Sequence, residues 1–268
     1  MADLTAYGPW AVITGASSGI GRAFAGHCAA QGLNVVLAAR STSVLADLGR
    51  ELSRAHGVEH RVVTVDLSDP GGAADLLAAS ADLDVGLLVS NAGGGRPGRF
   101  LDQDIPDLHR RLTLNTTTHF ELAHAFGRRF AARGGGAMVL VSALGAIHGL
   151  PNMAHESAAK SYVRNLGEAL HHELKPAGVK VTVMLPGNVD TPIIEKFGLD
   201  RTRLPIKPLP VATAVRQTVH ALNAGRPTVV PDRRLRALSR LTPRGLSIKL
   251  NGRLLGEAAA NLAGAVQG

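Results

Sequence analysis

Glu156 and Lys160 stand four residues apart in the stretch PNMAHESAAKSYV (151–163). On a helix that spacing puts a carboxylate and an ammonium on one face, where they form an ordinary surface ion pair. Beside a reacting carbonyl, the same two groups would instead be a base and a cation able to hold hydroxyls. Ser142 precedes Glu156 by fourteen residues, at the end of the apolar run AMVLV. His148 lies between them, and an imidazole ordinarily titrates near neutrality, so it is a candidate proton helper; the alternative is a surface or packing histidine. His155 points about 100° and Tyr162 about 240° around the helix from Glu156, so neither replaces it on its own face.

A second group of residues suits phosphate. VITGASSGIGRAF (12–24) runs strand, glycine-rich turn, helix. Gly15 can turn tightly, Gly19 lets a ligand approach the backbone, and Gly21 allows close helix–strand packing. Ser17, Ser18 and Ile20 complete a turn that delivers backbone N–H groups and a helix N-terminus to a pyrophosphate. The spacing is G-x-x-x-G-x-G and not G-x-G-x-x-G; the strand before it and the helix after it are what give it weight. The next strand ends VVLAARSTS, with no acidic residue to accept from a ribose hydroxyl. Arg40, with Ser41 or Ser17 adding a donor, suits a 2′-phosphate through charge-assisted bonds. The pattern points to NADP(H) over NAD(H); the alternative for Arg40 is a solvated side chain at a strand end.

The elements that must position these groups alternate from end to end. Candidate strands at 10–14, 34–38, 61–65, 85–90, 137–142, 180–185 and 227–230 are apolar on both parities, as expected of parallel strands covered on both faces. Helical segments fall at 19–31, 42–55, 70–80, 102–132, 153–175 and 210–223. This alternation predicts an α/β fold: a doubly wound, parallel seven-stranded sheet with helices on both faces, in a single domain over 1–268. A Pro-rich stretch within 190–210 suits either a loop at the substrate side or a plain surface connection, and a basic segment follows over 231–268.

Composition narrows the class further. Hydrophobic residues make up 45% of 268, while aromatics are only 3%, so the core must be aliphatic. The single cysteine, Cys28, excludes an internal disulfide and a cysteine-held metal cluster, and no metal site is expected. No apolar run reaches membrane-spanning length and the N-terminus has no leader pattern, so a cytoplasmic protein without stable membrane insertion is expected. The net charge of +8 is mostly dispersed and aromatics are few, which argues against nucleic acid as a partner.

Taken together, TGASSGIG (14–21), DL (66–67), NAG (91–93), Asn115, Ser142, Lys160 and PGNVDTP (186–192) resemble the short-chain dehydrogenase/reductase family, in order and at its spacing. The resemblance implies a Rossmann-type fold and hydride transfer with a nicotinamide cofactor. It implies that Asp66 and Leu67 contact the adenine, and that Asn91, Ala92 and Gly93 line the cofactor channel. Pro186, Gly187, Val189 and Thr191 would border the nicotinamide, although from the residues alone Pro186 and Gly187 could be only a turn; Lys160 would bind the ribose, and Ser142 would bond the substrate oxygen. Asn115 would hold a water in a proton relay; from the residues alone it could equally satisfy a helix carbonyl. The family carries Tyr-x-x-x-Lys where this chain reads Glu156-x-x-x-Lys160.

A carboxyl is ordinarily ionised at neutral pH, and can accept a proton but hardly donate one. Three readings follow: a reductase with impaired proton transfer, a redirected chemistry in which a carboxylate stabilises an iminium ion, or an NADP(H)-binding sensor or partner without turnover. Glu156 would also compete with the ribose for Lys160. The resemblance places Leu144, Met153 and Ile193, with His148, around the substrate, implying a small lipophilic carbonyl, alcohol or imine; the alternative for the apolar residues is ordinary core packing. The resemblance further implies a homodimer or homotetramer through the long helices.

Overall fold

The strands named above form in the computed structural model, which describes residues 4–204 and 206–267. Residues 1–3, 205 and 268 of the expected domain lie outside the described residues. The first half runs β1 (Trp10–Thr14), α1 (Gly19–Ala30), β2 (Asn34–Ala39), α2 (Thr42–His56), β3 (His60–Thr64), α3 (Gly72–Ala79) and β4 (Val85–Ser90). It continues with α4 (Ile105–Leu112), α5 (Thr118–Ala132), β5 (Gly136–Val141), α6 (Ala154–Glu173) and β6 (Val179–Met184). The chain then forms α7 (Ile193–Lys196), α8 (Val211–Asn223), β7 (Thr228–Val229), α9 (Arg233–Leu241) and α10 (Arg244–Gln267).

The sheet has seven strands in the order β3-β2-β1-β4-β5-β6-β7, and every pair is parallel. The expected Rossmann-type architecture is therefore borne out. Alternate strand residues feed two cores. Ile13, Leu37, Val89 and Val139 pack with α1, α2 and α8. Val12, Val36, Leu88 and Leu140 pack on the opposite face with α3, α5 and α6. Strands covered on both faces are why both parities are apolar in the sequence. Cys28 is buried in the first core, and burial pushes its thiol up to about 12, leaving an inert hydrophobic group.

Strand order reverses between β1 and β4, so the C-terminal ends of these two strands border the crevice where such sheets bind ligands. One expected element is corrected. The helix over 102–132 is two helices with a π-helical turn, Thr113–Thr117, between them. Asp104 caps α4 by accepting from the Asp107 N–H at 3.2 Å, with a proline in the first turn, so the helix starts later than the periodicity suggests. Thr113 bonds back to the His109 carbonyl at 3.2 Å, and Asn115 turns its amide out of the helix. Both loosen the regular ladder there.

Candidate active site

The glycine turn after β1 is tied to the exit of β4. Thr14 Oγ1 accepts from the N–H groups of Asn91 and Ala92, both at 2.8 Å, and Asn91 Nδ2 donates to the Thr14 carbonyl at 2.9 Å. Gly15 turns with φ +66°, and a Cβ there would sit 2.8 Å from Asn91 Nδ2. A Cβ on Gly21 would overlap the Gly15 carbonyl oxygen. Gly19 has φ +53°, and a Cβ there would lie 3.3 Å from the Thr191 methyl. Ser18 precedes α1 without a side-chain cap bond, so the first-turn N–H groups, including those of Gly19 and Ile20, have no capping side chain. Backbone that only glycine allows, beside an uncapped helix start, fits the pyrophosphate of a dinucleotide.

Further along, Arg40 and Ser41 are exposed at the end of β2. Asp66 accepts from the Ser68 N–H at 2.9 Å and hydroxyl at 2.7 Å, and pairs with Arg110 at 3.1 Å. Partial burial works against its charge, but the Ser68 bonds and the nearby Arg40 and Arg110 hold its carboxyl below the usual carboxylate range. The carboxylate expected to face adenine is thus already engaged within the protein. Leu67 beside it is buried.

At the far end of the crevice three expected residues converge. A Cβ on Gly93 would lie 3.0 Å from both Asn115 Oδ1 and Lys160 Nζ. Asn115 is fully buried; its Nδ2 donates to the Gly94 carbonyl at 2.7 Å and its Oδ1 accepts from the Gly94 N–H at 3.2 Å. It therefore locks the strand extension and not a helix carbonyl. Lys160 Nζ donates to the Val141 carbonyl at 3.0 Å, and burial brings its pKa down to about 8. Ser142 is buried, and its hydroxyl donates to the Lys160 carbonyl at 2.7 Å. His119, which the sequence did not single out, lies 3.4 Å from Lys160 Nζ. It also contacts Ser90 Oγ at 2.8 Å and the Ala92 carbonyl at 3.1 Å. Burial, then the Lys160 charge, push its pKa well below the ordinary value, so it is neutral.

The ordinary i,i+4 ion pair between Glu156 and Lys160 does not form. Glu156 Oε1 instead accepts from Arg111 Nη1 of α4. Arg111 Nη2 also donates to Gln103 Oε1 and lies 3.0 Å from Asp107. The two side chains of the pair are only 10% and 7% exposed, so this is a buried ion pair. The physical reason is reach and shape: α4 packs on α6, and a guanidinium can serve Glu156 and Gln103 at once, whereas Lys160 turns toward the end of β5. Glu156 Oε2 is buried without a hydrogen-bond partner. Gly95 leaves the room for this arrangement, since a Cβ there would be 2.7 Å from Glu156 Cγ.

The substrate-side residues are brought together in part. Leu144 donates its N–H to the Pro186 carbonyl at 2.8 Å and packs beside Gly187. Met153 is buried, with its methyl 3.2 Å from a Cβ built on Gly95. Val189 bridges to Leu209, and Thr191 Oγ1 donates to the Val189 carbonyl at 3.3 Å, which shapes the loop beyond the sheet. Ile193 is exposed at the start of α7. His148 is half-buried with Nδ1 unpartnered, and no hydrogen bond among the described residues joins it to Ser142 or Glu156. Tyr162 is exposed and meets Phe120 edge-on at 6.4 Å, away from Glu156 as the helical angle required.

Comparison with known proteins agrees with this geometry. The short chain dehydrogenase family model matches residues 9–202. The chain is 34% identical over 186 residues to the 7beta-hydroxysteroid dehydrogenase of Collinsella aerofaciens, covering 69% of this chain and 71% of that one. It is 33% identical over 189 residues to the very-long-chain 3-oxoacyl-CoA reductase of Meyerozyma guilliermondii, spanning 66% of this chain and 55% of that one. Among solved structures, a short-chain dehydrogenase from Sphingobium yanoikuyae in complex with NADPH superposes with a TM-score of 0.79 at 31% identity, covering 87% and 92% of the two chains. A family model covering well over half the chain, joined to the sheet order and the glycine turn, places this protein in the short-chain dehydrogenase family.

Proposed function

We propose that the protein is an NADP(H)-dependent oxidoreductase acting on a small lipophilic carbonyl or imine, or the matching alcohol or amine, with Glu156 where the family carries its proton-donating tyrosine. The observation that carries this reading is the convergence of Gly93, Asn115 and Lys160 at the end of the crevice that the glycine turn opens. Bound cofactor would supply or take up the hydride. Arg40 and Ser41 would hold the 2′-phosphate, and the Gly15–Gly21 turn the pyrophosphate. Lys160, clear of Glu156, keeps its ammonium for the ribose.

Glu156 brings no hydroxyl to this position, and its carboxylate is held by Arg111. The same pairing offsets the negative charge that would steady an iminium ion, which favours impaired proton transfer over redirected chemistry. The acid left in the cluster is the Lys160 ammonium, brought down to about 8 by burial. A second reading, NADP(H) binding without turnover, is supported by two internal bonds: Glu156 is held by Arg111, and the Ser142 hydroxyl by the Lys160 carbonyl.

Turnover separates these readings. The parent and Glu156→Tyr are assayed with NADPH against bulky ketones and cyclic imines across pH, after fluorescence titration establishes cofactor affinity. Ketone reduction that rises at least tenfold with tyrosine supports the impaired reductase. Tight NADPH binding with no turnover in either protein supports the silent one, and absence of NADPH binding refutes both. The protein is also expected to be a dimer or tetramer through α5 and α6, where Phe120 and Tyr162 are exposed. Light scattering on Phe120→Glu/Tyr162→Glu should then report a smaller particle.

A further inference from the structure

The two C-terminal helices repeat one pattern. Arg234, Leu238 and Leu241 on α9, and Leu246, Leu250 and Arg253 on α10, each follow an i, i+4, i+7 spacing that keeps three side chains on one face. Those faces point outward: Leu238 is 51% exposed, Leu241 80%, Leu246 49% and Leu250 51%. Residues 231–268 hold seven Lys or Arg against two Asp or Glu, so this segment carries five of the chain's eight net positive charges. Among the described residues, neither Arg234 nor Arg253 is in an ion pair. The inner sides of the same helices lie across the substrate-side segments. Leu235 packs on Gly187, Asn152 Nδ2 donates to the Gly252 carbonyl at 3.2 Å, and Asn261 Nδ2 donates to the Gly198 carbonyl at 3.0 Å.

We propose that the outer face of α9 and α10 is a peripheral docking surface for an anionic lipid bilayer. Leucines at the centre of the stripe would enter the headgroup–acyl boundary, while the flanking cations meet anionic headgroups. No helix among the described residues is long and apolar enough to cross a membrane, so the contact is interfacial. A second copy of the chain fits this face less well. A twofold interface sets the same patch against itself, and would bring arginines onto arginines. Nucleic acid fits less well too, because the stripe presents leucines where aromatic stacking would be needed. The proposal is independent of the chemistry at Glu156.

Co-sedimentation of the full chain with vesicles tests it, comparing phosphatidylcholine alone with phosphatidylcholine mixed with phosphatidylglycerol. The expected result is binding to the anionic vesicles only, weakened by salt. Arg234→Ala/Arg253→Ala should reduce partitioning by about 25-fold, at about fivefold per cation removed. Leu241→Ser/Leu250→Ser should also reduce it, with the NADPH titration and melting temperature of both variants unchanged. Equal binding to neutral and anionic vesicles, no binding to either, or partitioning indifferent to the arginine pair would overturn the proposal. So would lipid-free self-association that the leucine pair abolishes, since the face would then join copies of this chain.

Discussion

Replacing Arg111 with methionine is a direct test of the reasoning about the buried pair. Methionine retains much of the packing of the arginine stem. It leaves the Glu156 carboxylate, only 7% exposed, without a counter-charge. Removing one partner of a buried pair costs about 3–5 kcal/mol, because the remaining charge stays desolvated and unpaired. The lost contact to Asp107 adds little, since that carboxylate is 56% exposed. A loss of this size takes up much of the ~5–15 kcal/mol that holds a domain together. At roughly 2–4 °C per kcal/mol for a chain of this length, the melting temperature should fall by roughly 6–20 °C.

The double variant Arg111→Met/Glu156→Met removes both charges, and should return to within about 1 kcal/mol of the parent or exceed it. Urea and thermal unfolding of the parent, both single variants and the double variant give the coupling energy. NADPH affinity serves as a check on the fold, because Arg111 lies outside the residues assigned to cofactor. An Arg111→Met protein within 1 kcal/mol of the parent, or single losses that simply add in the double variant, would refute the buried pair.

Arg40→Ala should weaken NADPH binding by about tenfold to a hundredfold, the worth of a charge-assisted bond, and leave NADH binding nearly unchanged in the same titration. Lys160 is shifted down from 10.5 to about 8, so between those pH values the unfolded chain binds its proton and the folded chain does not. Stability of the parent relative to Lys160→Met should therefore be flat below pH 8 and rise above it, by at most about 3 kcal/mol; a fall across that window would count against the burial. Gly95→Ala puts a Cβ 2.7 Å from Glu156 Cγ and should cost about 1–3 kcal/mol by overpacking. Gly149→Ala, with nothing within 4 Å, is the neutral control in the same urea series.

The fold was legible because its signals are local. Strands buried by helices on both faces are apolar on both parities, so Val35, Val36 and Leu37 announce a central strand whichever core each one enters. The glycine turn was legible for the same reason: the backbone conformations at Gly15 and Gly19 exclude other side chains wherever the turn points. The partner of Glu156 was not legible. A four-residue spacing identifies residues that share a face, but the face of α6 that carries Glu156 is covered by α4, and a guanidinium from that helix reaches the carboxylate first. The Arg110 partner of Asp66 was not legible either, since it comes from the same distant helix.

A signal for the missed residues was nevertheless present. Arg111, Asn115 and His119 follow one another at intervals of four, all three are buried, and each turns a polar group toward the crevice: to Glu156, to Gly94 and to Lys160. On a helix such an interval marks one stripe, and Asn115 had already been assigned to the site by resemblance. The residues one turn before and after it, Arg111 and His119, share that stripe and face the same crevice. The π-helical turn at Thr113–Thr117 sits in the middle of that stripe and carries the asparagine. Such turns are retained where a side chain must be aimed at a site. If the stripe is one functional unit, His119→Gln should shift the pH dependence of turnover through Lys160 while leaving the Arg111–Glu156 coupling energy unchanged, because the neutral imidazole touches only the lysine end. A change in that coupling energy would show that the two ends of the stripe are packed as a single cluster, and that assigning them separate roles is wrong.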